Sequence, residues 1–237
     1  MRTLIKLLLV VVCGVLIGSA TNDLALQVKQ ERREVQAREL IESDIARYKI
    51  APHVVKMEIT LPNGIMLGSG TGFYVEFMGK IVLMTNKHIC DPNKEEGMDI
   101  RVKGKVMQIV AISTIHDLCI LKSDREQGMK LARIDTVLEV LDKVILVGHP
   151  RGLPITVREG RVMTIDQSKF SWLDNSMKEF FMISTIAYGG NSGSPVSNTK
   201  GEVIGVLFAG PRNFHTEGLV VPLVDIYVFL SSNYKLY

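Results

Sequence analysis

The sequence predicts an all-β fold of two antiparallel barrels or sandwiches, preceded by a helical segment and closed by a short C-terminal helix. Three observations carry this. Two series of short apolar and β-branched runs, separated by polar or glycine-bearing gaps, occupy residues 54–123 and 143–222. No long helical pattern interrupts either series, which argues against alternating β and α units. With 237 residues, 46% of them hydrophobic and 22% charged, the chain can build one large core or two small ones.

Taken in order, the first element is "MRTLIKLLLVVVCGVLIGSA". Arg2 and Lys6 precede an apolar run from Leu7 to Ile17, and the small residues Gly18, Ser19 and Ala20 follow it. This is the layout of a secretory signal with cleavage after Ala20. The run is shorter than the roughly 20 residues a spanning helix needs. An uncleaved anchor through residues 4–20 is the alternative, and either one places the rest of the chain outside the cytoplasm. Val10 to Val12 lack the small residues expected before a lipidated cysteine, which argues against lipidation at Cys13.

Residues 21–50 form a charged linker. "QERREVQARELIESDIARYK" has no glycine or proline and favours helix. Ile41, Ile45 and Tyr48 share a face, but Glu31 and Arg38 interrupt any longer seam. A solvated stalk and a helix packed on a neighbour both fit.

Pro52 ends the linker. "VVKMEI" (54–59), "TGFYVEF" (71–77), "KIVLMTN" (80–86), "DIRVKGKVMQIVAIS" (99–113) and "LCILKS" (118–123) then read as the strands of a first barrel, about residues 51–135. "EQGMKLARIDTVLEVLD" connects it to a second, about residues 140–232. The second comprises "KVILVG" (143–148), "PITVREGRVMTI" (154–165), "EFFMIST" (179–185), "EVIGVLFAG" (202–210) and "LVVP" (219–222). "PLVDIYVFLSS" reads as the terminal helix. There is no internal repeat and no low-complexity tract.

Composition narrows the function classes. A net charge of +3, without a Lys/Arg run interleaved with aromatics, gives no reason to expect nucleic acid. Three cysteines (Cys13, Cys90, Cys119) are too few for a disulfide framework and lack zinc spacing. Neither a metal nor an organic cofactor is expected.

The chemistry turns on "YGGNSGSP" (188–195), which as a lone stretch is an ordinary glycine-serine turn. A serine needs a base to become a nucleophile, and the base needs an orienting acid. His88 in "MTNKHIC" follows a predicted buried strand, and Asp117 in "TIHDLCIL" precedes another. Both belong to the first β unit and Ser192 to the second, so base and acid would form one wall of a cleft and the nucleophile the other. An α/β-hydrolase elbow is excluded, because Ser194 replaces the last glycine of G-x-S-x-G and Pro195 follows. His53, His149 and His215 read as exposed loop residues, and His116 as a strand-entry residue rather than a second base.

"TNKHIC", "HDLCIL" and "GNSGSP", in that order, resemble the His, Asp and Ser motifs of trypsin-fold serine proteases, most closely the HtrA/Deg branch. "GSGTGF", "VGHPRGL", "GEVIGVLFAG" and "GLVVPL" fit as well, so the resemblance covers about residues 51–232. It implies two six-stranded barrels, with Ser192 as nucleophile, His88 as base and then acid, and Asp117 orienting His88. It also implies an oxyanion hole from the N–H groups of Gly190 and Ser192, each donor worth about 3 kcal/mol in the transition state. Asn191 stands where trypsin-like zymogens have an aspartate for a new N-terminal amine, so activity is not expected to depend on zymogen cleavage. Ser194, Lys87 and Cys119 depart from the family pattern without removing a reacting group. Cys90 and Cys119 each lie two residues beyond a triad member; a disulfide is conceivable, and two buried free thiols are expected.

By the same resemblance Ile186, six before the nucleophile, floors the specificity pocket beside Phe208, Ala209 and Gly210. An apolar floor disfavours Arg or Lys and suits small or medium aliphatic residues before the scissile bond. The partners implied are unfolded or extended polypeptides and, through N-terminal segments, a homo-trimer. After Ser192 there is length to finish the second barrel and no more, so the PDZ domain of many HtrA/Deg proteins is not expected. The function implied is a serine endopeptidase, with protein quality control as its setting. The alternatives are a protease-fold binding or chaperone-like module and a dedicated processing protease of viral or phage type.

Overall fold

The computed structural model describes residues 24, 26–37, 40, 44–91, 97–165, 180–185, 187–210 and 216–237. The chain divides into two compact units, one ending at Asp44 and one spanning Ile45–Tyr237. In the first, residues 26–37 form helix α1. Among the described residues no helix is long and apolar enough to cross a membrane, and residues 1–23 lie outside them. The second unit begins at Ile45, ahead of the expected start at 51, because Ala46 and Ile50 are buried in its core.

The first β unit comprises β1 (Val54–Thr60), β2 (Met66–Phe77), β3 (Lys80–Thr85), β4 (Asp99–Val102), β5 (Lys105–Val106), β6 (Ile109–Ile112), β7 (Cys119–Lys122) and β8 (Met129–Lys130). Its strand order is β5-β4-β1-β2-β3-β7-β6, with β8 parallel to β2. The run expected as one strand over 99–113 turns back at Lys103 and Gly104, both at positive φ. The two ends of the sheet are halves of one chain segment. Met107 N–H donates to Ile100 O and Lys122 N–H to Gln108 O, so residues 105–112 leave β4 and join β7. That segment completes a ring of six: itself, β4, β1, β2, β3 and β7.

The second unit is a closed barrel, β10-β11-β14-β13-β12-β9. Its strands are β9 (Lys143–Gly148), β10 (Thr156–Thr164), β11 (Phe181–Ile183), β12 (Pro195–Ser197), β13 (Val203–Ala209) and β14 (Gly218–Pro222). Helix α3 (Leu223–Asn233) follows, one residue beyond the expected segment, and buries Leu223, Ile226, Phe229 and Leu230.

The apolar runs are continuous rather than alternating because the strands are buried on both faces. On β3, Leu83 fills the first barrel while Val82 and Met84 face the shared core between the barrels. On β9, Val144 and Leu146 fill the second barrel while Ile145 and Val147 face that shared core. The two barrels therefore meet over a broad hydrophobic contact, and the loops at its edge are held in fixed relation.

Candidate active site

Strand register brings His88 and Asp117 together. Antiparallel β3 and β7 pair Thr85 with Cys119, so the chain leaving β3 runs back past the chain entering β7. Short helix α2 (Lys87–Cys90) starts there, and the buried Asn86 before it donates from Nδ2 to Asp117 O at 2.8 Å. Asp117 Oδ1 accepts the His88 backbone N–H at 2.9 Å, and Oδ2 lies 2.6 Å from His88 Nδ1. A carboxylate only accepts, so the ring carries its proton on Nδ1 and leaves Nε2 as an acceptor. The His88 side chain is 40% exposed and that of Asp117 11%, so the ring is reachable and its partner shielded.

The same register closes a disulfide between Cys90 and Cys119, with Cα atoms 6.4 Å apart. Two free thiols were expected. Opposite Thr85, Cys119 lies under α2, whose single turn carries Cys90 back over it. The bond ties the element bearing His88 to the strand following Asp117. Replacing both cysteines with alanine is expected to lower the unfolding free energy by about 3–4 kcal/mol, from the loop entropy the link removes. Urea unfolding of the oxidised protein and the double variant measures this, and equal midpoints with equal slopes would refute it.

Ser192 lies in the loop between β11 and β12, anchored by Thr71 on β2. Thr71 is fully buried and uses every polar group it has. Its N–H donates to Ser192 O at 2.8 Å, its Oγ1 donates to Gly190 O at 2.7 Å and accepts from His149 N–H at 3.0 Å, and its carbonyl accepts from Thr85 Oγ1 at 2.7 Å. One residue of the first barrel thus fixes the turn of the second. Gly70 adds a steric link, since a Cβ there would lie 2.8 Å from Ile89 Cδ1 and 3.4 Å from Ser192 O. Sequence reasoning missed Thr71. The signal was a threonine between two glycines in "GSGTGF", where the small neighbours admit a close backbone.

The turn itself is set by Gly190 and Gly193, both at positive φ. Gly190 has φ +91°, and a Cβ there would come within 2.5 Å of His149 O and 2.8 Å of Arg151 N. Asn191 N–H donates to Tyr188 O and Ser194 N–H to Asn191 O. Among the described residues the N–H groups of Gly190 and Ser192 donate to no protein acceptor, the condition an oxyanion hole requires. Ser192 Oγ donates to Phe208 O at 3.5 Å. Ser194, in place of the usual glycine, fits because Gly148 opposite has no Cβ to meet it.

Of the expected pocket residues, Phe208 is buried and Gly210 runs beside Ala187, whose Cβ would be 2.9 Å from a Cβ at 210. Gly210 thus packs directly on Ala187, and Phe208 O meets the serine hydroxyl. Ile186 and His215 lie outside the described residues. His53 and His149 are not exposed as expected: Nδ1 of the first and Nε2 of the second are buried, and burial lowers both pKa values from their ordinary range. Loop packing, absent from local sequence, covers them. His116 also has a partner, Asp225 in the first turn of α3, 3.1 Å from its Nδ1.

A family model described as a trypsin-like peptidase domain matches residues 70–206. The chain belongs to that family. The trypsin-like domain is similar to HhoA of Synechocystis sp., described as a serine protease, at 29% identity over 162 residues, which is 66% of this chain and 40% of HhoA. It is 27% identical over 203 residues to the glutamyl endopeptidase of Staphylococcus aureus (strain MRSA252), covering 76% of this chain and 53% of that protein. It thus spans only about two fifths to half the length of these relatives. Among solved structures, the HtrA-type protease AlgW with a tripeptide aligns at TM-score 0.65 and 20% identity, over 81% of this chain and 62% of that one. At that identity the match establishes the trypsin-like fold.

Proposed function

We propose that the chain is a serine endopeptidase of HtrA/Deg type, with Ser192 as nucleophile, His88 as base and Asp117 as orienting acid. The observation that carries this reading is the 2.6 Å His88–Asp117 contact opposite a turn whose Gly190 and Ser192 N–H groups have no protein acceptor. In the reaction the Ser192 O–H turns from Phe208 O to His88 Nε2, and Oγ attacks the substrate carbonyl. His88 takes the proton and returns it to the leaving amine, giving an acyl-enzyme that water then hydrolyses. The developing oxyanion is received by the N–H groups of Gly190 and Ser192, and extended substrate runs along residues 208–210. Clearance of unfolded proteins, a trimer, and export or anchorage through residues 4–20 belong to the same reading. The disulfide supports an oxidising compartment.

The test is fluorophosphonate labelling of the purified protein beside Ser192→Ala and His88→Ala. Labelling of the wild type alone, with digestion of casein, is expected. Well-folded wild-type protein that resists the probe would overturn the reading in favour of a protease-fold binding module.

A further inference from the structure

Two arginines that the proposed chemistry does not use flank the turn leading to Ser192. Arg158 shares the inward face of β10 with Gly160 and Val162, and Gly160 abuts Ser184 and Thr185 on the chain that leads to the serine. Arg151 lies in the turn Pro150–Gly152 at φ +56°, and its N–H donates to Gly189 O at 2.6 Å. Both guanidinium groups lie against the ring of Tyr188, at 4.4 Å for Arg151 and 6.0 Å for Arg158.

Among the described residues neither arginine is within ion-pair distance of a carboxylate, and Arg158 Nε is buried with no hydrogen-bond partner. A buried guanidinium N–H left without an acceptor is destabilising, and stacking on an aromatic ring relieves only part of that cost. A ring holding a guanidinium face also leaves its N–H edge free for a planar, two-oxygen acceptor. Two such edges beside the oxyanion turn suit a carboxylate on the bound chain.

We propose that Arg151 and Arg158 form an anionic subsite, so that preferred polypeptides carry Glu or Asp within two residues of the scissile bond. This rests on Ser192 as nucleophile and adds a charged requirement to the aliphatic residue expected from Ile186. The experiment uses the full chain with Ser192→Ala and eight-residue fluorescent peptides of one alanine-rich sequence, through which a single Glu, Gln or Leu is walked. Anisotropy should show Glu bound about tenfold tighter than isosteric Gln at one register. Arg151→Gln and Arg158→Gln should each shrink that ratio, and Arg158→Lys should keep part of it. Equal affinities at every position, or a Glu preference unchanged in the double Gln variant, would overturn the proposal. Failure of the nucleophile reading is separate: wild type that resists fluorophosphonate while the Glu preference persists leaves the subsite standing.

Discussion

Asp117→Asn is expected to lower the fluorophosphonate labelling rate by about 10⁴ while leaving the barrels folded. The carboxylate accepts two hydrogen bonds from one residue, the His88 backbone N–H and the ring N–H at Nδ1. An amide of the same shape has one accepting oxygen. If that oxygen keeps the backbone bond, the NH₂ group faces Nδ1 and stabilises the tautomer with the proton on Nε2. Nε2 then cannot take the Ser192 proton. Little stability should change, because Asn86 still holds the Asp117 carbonyl and the Cys90–Cys119 bond still ties α2 to β7. The measurement is labelling kinetics beside thermal unfolding. A loss below tenfold, with the fold intact, would mean that Asp117 does not set the tautomer.

The fold was legible where local pattern and tertiary burial agree. "KIVLMTN" and "KVILVG" read as strands because residues apolar on both faces are what two meeting barrels require. Strand β12 was not legible: it is three residues, opens with Pro195 and includes Ser197. Only Val196 in "PVS" favours a strand, and the strand exists because β9 and β13 pair with it on either side. The break at Lys103–Gly104 was hidden by the β-branched residues on both sides of it. The positive φ values and the antiparallel pairing of Arg101 with Val106 show that the chain reverses there.

The site divides in the same way. His88, Asp117 and Ser192 stand out as candidates because residue types able to do acid–base and nucleophilic chemistry sit at strand edges in recognisable company. The residues that hold them do not stand out. Thr71 is ordinary in sequence and acquires its role from four hydrogen bonds, three of them to residues more than 75 positions away. Cys90 and Cys119 show the limit of spacing arguments. Their offsets from His88 and Asp117 were visible, but whether the sulfurs meet depends on the β3–β7 register, which no local signal sets.

That dependence on distant support makes Gly193→Ala the second large effect. Gly193 has φ +85°, and a Cβ there would overlap both Thr71 O and Thr85 Oγ1. These two atoms form the hydrogen bond that joins β2 to the end of β3, so neither can retreat without breaking it. The loop must move instead, and with it Ser192, one residue away. A displacement near 1 Å at a reacting atom costs about 10²-fold in rate, so labelling should fall at least that far. Backbone strain alone predicts much less. Gly64 and Gly104 have φ +86° and +80° with nothing within 4 Å of a Cβ. Alanine at either should therefore cost about 1 kcal/mol of stability and leave labelling intact. If Gly193→Ala labels as fast as these two controls, the collision with Thr71 does not govern the serine, and the first barrel does not position the second barrel's turn.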